Sequence, residues 1–220
     1  MSLRTQTAAL IKREFLQEQR QKYALFGVLL YVVSTIFIGR FSFRIINDIP
    51  VWNALFWTIL LFSTVIGVAR SFQQETRGRL LYLYFMADPR AVLLSKTIYN
   101  IVLMLGLGTA GYFFYAVLIG NLVANVPLFF AVLFLGCAGL AIAFTMISAI
   151  ASRAGNNFTL MSILGFPVII PMLMLAIRLS KIAADGTDAP VTWTYFGILA
   201  LLNVLVFALA WILFPYLWRD

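Results

Sequence analysis

This sequence predicts an all-α polytopic membrane protein, with six transmembrane helices, an N-terminal interfacial helix and a short cytosolic helix between spans 2 and 3. Three observations carry the prediction. First, 63% of the 220 residues are hydrophobic and only 11% are charged, where soluble domains carry roughly 45–50% apolar and about 25% charged residues. That much apolar surface cannot be hidden inside one core of this size. Second, the apolar residues gather into stretches long enough to cross a bilayer. Third, the basic residues fall mostly on alternate connections between those stretches.

A bilayer core of roughly 30 Å needs about 20 apolar residues as helix. Six stretches qualify, at about 23–39, 51–69, 97–119, 127–151, 158–177 and 194–215. None carries a charge in its middle, where one would cost about 2.5–3.5 kcal/mol. No buried proton relay and no intramembrane ion pair are therefore expected. The whole of 1–220 is read as a single transmembrane domain, since the connections leave no room for a second, soluble one.

Orientation follows from Lys and Arg. With the N-terminus inside, the cytosolic side holds Arg4, Lys12, Arg13, Arg20, Lys22, Arg70, Arg77, Arg79, Arg90, Lys96, Arg153 and Arg219, and the outer side holds Arg40, Arg44, Arg178 and Lys181. That bias, twelve against four, is the positive-inside pattern, and six spans return the C-terminus to the cytosol. Trp52, Trp193, Tyr195 and Trp218 lie near span ends, where amphipathic rings favour the headgroup region. The net charge of +8 belongs to this topology and not to nucleic-acid binding, which would need a basic face on a soluble fold.

Residues 1–22 hold the interfacial helix. Leu3, Ala8, Ile11, Phe15 and Leu16 form an apolar stripe near helical spacing, and a basic flank accompanies it. Glu14 and Glu18 in this region, with no small-residue cleavage site after the first apolar run, speak for an anchor that is retained and not a cleaved signal peptide. Residues 121–126 and 152–157 make tight turns. Residues 179–193 form the one appreciable outer loop after span 2, with Asp185-Gly186 as its turn signal.

Several chemistries are excluded by what the chain lacks. It has no histidine, the commonest metal ligand and general base. Its single cysteine, Cys137, permits no intrachain disulfide and reads as a small buried hydrophobe. No G-x-x-x-x-G-K-[ST] occurs, so ATP is not bound here by a P-loop. No catalytic, cofactor-binding or metal-binding set is assigned. Gly106-Leu107-Gly108-Thr109-Ala110-Gly111 spells a dinucleotide pattern, but within a membrane span it marks close helix packing. Gly136, Gly139 and Ala143 mark the same on span 4. Pro167 and Pro171, four apart in span 5, each remove a backbone donor. They predict a kink or break facing protein or a cavity, a candidate hinge.

The segment 70–96 stands apart. Glu75, Arg77, Gly78 and Arg79 lead into Leu80, Leu81, Leu83, Tyr84 and Phe85, a run too apolar for a solvated loop and too short to span. Gly78 breaks the chain, and Asp88-Pro89 caps a turn or starts the helix that becomes span 3. A short helix across the cytosolic face results, touching lipid or seated in a groove on a partner.

At this segment, through Glu75, Gly78, Leu80, Leu83, Pro89 and Lys96, the chain resembles the six-span permeases of the ABC-2 exporter type. With its length and the span 5 run from Ser162 to Pro171, it is more closely similar to the cytochrome c maturation protein B family, over nearly the whole chain. The resemblance implies a non-catalytic permease subunit in the bacterial inner membrane. Its partners would be a cytosolic ABC ATPase, a haem-handling membrane protein, a small membrane subunit and a second permease copy. ATP would be bound in the ATPase partner, haem elsewhere in the complex, and no cofactor by this chain. Residues Glu75, Arg77, Gly78, Arg79, Leu80, Leu81, Leu83, Tyr84, Phe85 and Pro89 would dock the ATPase as a coupling helix. Leu81 and Tyr82 stand where family members often carry a glutamate, which leaves Glu75, Arg77 or Arg79 for any charged part of the contact. The complex would export haem or use ATP to release a haem-loaded chaperone. Met104, Met146, Met161, Met172 and Met174 sit at span positions that packing explains. Alternative readings are an ABC-2 permease for a lipid, glycan or drug, and a membrane scaffold without transport.

Overall fold

A computed structural model describes residues 3–20, 22–43, 46–73, 87–153, 158–187 and 190–219. These form seven helices, with no strand among the described residues: α1 (Leu3–Arg20), α2 (Lys22–Ser42), α3 (Ile49–Gln73), α4 (Pro89–Leu118), α5 (Val126–Arg153), α6 (Phe158–Asp185) and α7 (Val191–Arg219). The last six are each long and apolar enough to cross a membrane. Their outward faces carry Leu30, Phe41, Phe113, Val117, Trp193 and Val204, all well exposed. Side chains of this kind fit a lipid surround and not water.

α5 is the central helix. It packs on α3, α4, α6 and α7, and 56% of its span is buried, against 17% for the peripheral α2. The reason lies in its small residues, which let neighbours approach. A Cβ at Gly136 would run into the Trp57 ring of α3, and one at Gly139 into the Asn203 amide of α7. From the other side, Gly108 of α4 brings its backbone close to α5, where an added Cβ would lie 2.9 Å from Cys137 Sγ. Close packing of spans 3 and 4 is thus present, through Gly108. Gly106, by contrast, has nothing within 4 Å of an added Cβ.

The ends of the helices are set by local chemistry. Asp88, at φ −64° and ψ 130°, caps α4: its Oδ1 accepts from Arg90 N at 2.9 Å, and Pro89 takes the first helical position, where its missing N–H loses nothing. Gly120 (φ 115°) and Gly186 (φ 68°) turn the chain after α4 and α6, a backbone region that glycine enters without strain. Asn125 N donates to Ala183 O at 2.9 Å, which ties the α4–α5 turn to the end of α6.

Three expectations change. Residues 179–193 are not a long loop: α6 continues to Asp185, so Arg178 and Lys181 are helical. The prolines do not break α6, which runs through both, and Pro167 and Pro171 lie on its exposed face, not against protein. Finally, α1 does not rest on its apolar stripe alone. Ala8, Phe15 and Leu16 are exposed, while Thr7 is buried and the helix packs chiefly on α4.

Candidate functional site: the start of α4

Residues 74–86, and with them Glu75, Arg77, Gly78, Arg79, Leu80, Leu81, Leu83, Tyr84 and Phe85, lie outside the described residues. Of the predicted docking set, Pro89 is described, as the first residue of α4. What can be built from the residues upward is the receiving end of that segment.

The first two turns of α4 are held by three other helices. Val92 and Leu93 pack with Ala149 of α5 and with Ala210 and Phe214 of α7, with Leu10 of α1 closing the cluster. The Arg90 guanidinium stands 5.4 Å from the Trp211 ring centre, a cation–π distance. On the α1 side, Asp88 N donates to Gln6 Oε1 at 3.2 Å. Phe15 meets Tyr99 edge-on, with ring centres 5.4 Å apart.

Between these contacts lies an ion pair that joins α1 to the start of the third span. Lys96 Nζ donates to Glu14 Oε1 at 3.3 Å, with the lysine 1% exposed and the glutamate 12%. Lys96 is therefore not a solvated basic residue at a span boundary. Taking these two charges out of water is expensive, and geometry recovers the cost only while both partners stay in place. The pair makes α1 and α4 dependent on each other at this end of the bundle.

Further along the spans, buried polar side chains bond helix to helix. Asn100 Nδ2 of α4 donates to Thr145 Oγ1 of α5 at 2.8 Å, and Thr145 Oγ1 donates to Ala141 O. Trp57 Nε1 of α3 donates to Ser180 Oγ of α6 at 2.7 Å. The Ser180 hydroxyl lies 2.8 Å from Asn53 Oδ1, and Asn53 Nδ2 donates to Ile177 O at 2.7 Å. Asn203 Nδ2 of α7 donates to Leu135 O of α5 at 2.9 Å. The sequence reading missed all of these. The signal was available, because an amide or hydroxyl inside an apolar span must find a partner in protein.

Six apolar helices, a further helix paired with the third of them, and a capped, packed start to that third helix define a polytopic all-helical membrane protein. The family model described as CcmB protein matches residues 5–216. The chain belongs to the CcmB family, the ABC-type permease subunits of cytochrome c maturation. No curated protein matches it.

Proposed function

We propose that this chain couples ATP hydrolysis in a cytosolic ABC ATPase to movement of the membrane part of a cytochrome c maturation complex, through a helix within 70–96. The observation that carries the proposal is the packing at the start of α4. Whatever displaces residues 74–86 pulls directly on Asp88 and Pro89, and these are tied to α1 by Gln6 and, two turns on, by Glu14–Lys96. α5 and α7 share the same small core, so a shift of α4 is felt by four helices together. The basic residues on alternate connections support an orientation in the bacterial inner membrane with both termini in the cytosol. The chain carries no P-loop motif, which supports the reading that ATP is bound by the partner. The lack of histidine supports haem ligation on another subunit and favours ATP-driven release of a haem-loaded chaperone over passage of haem through this chain.

The docking surface is the apolar run Leu80, Leu83 and Phe85, which would seat in a groove on the ATPase. Replacing all three by Asp should leave insertion of the six spans intact and release the ATPase, read by co-purification in mild detergent. ATPase recovery equal to wild type would sink the docking assignment, and failure of any ATPase to co-purify with the wild type would sink the coupling role.

The exposed prolines of α6 extend the proposal to a moving element. Proline inside a helix costs about 3 kcal/mol, so P167A/P171A should stiffen and stabilise α6 while slowing cytochrome c maturation in cells. Undiminished maturation would remove the hinge role from these two residues.

A further inference from the structure

α1, α2 and α4 do not close on one another. Between them runs a cleft of about 570 Å³, open along the flank of the bundle and almost wholly apolar. That volume is within the range of about 300–1,000 Å³ typical of small-molecule sites. Leu25 and Leu29 of α2 form one wall, and Gly106 of α4 widens the other because it has no side chain. The α1 end is different in kind. There Glu18, Gln19 and Tyr99 line the cleft. Tyr99 is 7% exposed and its hydroxyl lacks a hydrogen bond of good geometry, although the Glu18 carboxylate stands beside it. A buried hydroxyl without a partner is costly and marks a place where a further polar group is expected.

We propose that this cleft binds one phospholipid of the surrounding leaflet, with an ethanolamine headgroup at Glu18 and Tyr99 and an acyl chain along α2 and α4. The cleft opens where the bilayer must lie, and its length is apolar, which suits a hydrocarbon chain. At the polar end the charge is negative among the described lining residues, which suits a primary ammonium with N–H donors to spare. Glu18 swings onto that ammonium. The Tyr99 hydroxyl, uncovered, donates to a phosphate or ester oxygen of the same lipid. Haem fits poorly, because its carboxylates would face Glu18. A lipid held here fills the gap between α1 and α2 on the side of α1 that leads to the Glu14–Lys96 pair.

The test uses the full chain, purified from membranes in mild detergent and equilibrated with vesicles of equal phosphatidylethanolamine, phosphatidylglycerol and phosphatidylcholine. Native mass spectrometry then reads what stays bound. The wild type should retain one phosphatidylethanolamine per chain. Y99F should weaken retention about fivefold, the equivalent of one ordinary hydrogen bond. E18Q should abolish the preference for ethanolamine over glycerol headgroups. Gly106→Phe, whose side chain enters open space, should displace the lipid while thermal stability stays near that of the wild type. Retention without headgroup preference in the wild type would overturn the proposal. So would equal retention in Y99F and G106F, or recovery of haem or a second copy of the chain in place of the lipid.

Discussion

Replacing Glu14 with alanine should destabilise the protein by about 3 kcal/mol, the lower end of the range for removing one partner of a buried pair. The lower end applies because Glu14 is not fully buried, retaining 12% exposure. The variant takes from the Lys96 ammonium, 1% exposed, its bond to the Glu14 carboxylate. The double variant E14L/K96M should recover most of the loss, since well-packed apolar residues of similar volume often replace a buried pair at little cost. Denaturant titration in mixed micelles measures both. Equal destabilisation of single and double variants would show that helix α1 is held by its other contacts and that the pair contributes nothing by itself. Because α1 is anchored on the span that follows residues 74–86, the proposed coupling segment, the single variant should also lower cytochrome c maturation, and the double variant should restore stability more fully than activity.

The six spans were legible because bilayer thickness imposes a length on every apolar stretch. The α4 start was legible too, because one of the two uses of Asp88-Pro89 there, as cap and first residue of the helix, is the one found. Other boundaries were not. Arg178 and Lys181 end the apolar stretch of span 5 at residue 177, while the helix runs on to Asp185, since a helix end can carry charge that a span centre cannot. The Glu14–Lys96 pair was invisible for a different reason. Its members are 82 residues apart, and each alone reads as a charge at a membrane boundary. The prolines were read from backbone chemistry alone, which says that a donor is missing but not which way the ring faces. The apolar docking run from Leu80 to Phe85 rests on composition and topology.

Gly136→Ala should be strongly destabilising. Its new Cβ would run into the Trp57 ring, and that indole is fully buried with its Nε1 bonded to Ser180 Oγ at 2.7 Å. To yield, Trp57 must break the chain of hydrogen bonds through Ser180 to Asn53, or α3 must move off α5. Overpacking costs about 1–3 kcal/mol, and loss of a buried hydrogen bond adds about 1–2 kcal/mol. Alanine returns about 1 kcal/mol of helix propensity, leaving a net loss of about 2 kcal/mol. Gly106→Ala is the matched control. The same propensity gain applies there, nothing lies within 4 Å of the new atom, and the variant should be as stable as wild type or up to about 1 kcal/mol more stable. Unfolding both variants side by side in one detergent separates the two contributions. If G136A and G106A shift stability together, close approach at the centre of α5 is not what holds α3 in place. If they part as expected, the small-residue stripe on α5 sets the spacing of the bundle. Its contact with Trp57 then links α5 to α3 and, through Ser180, to α6.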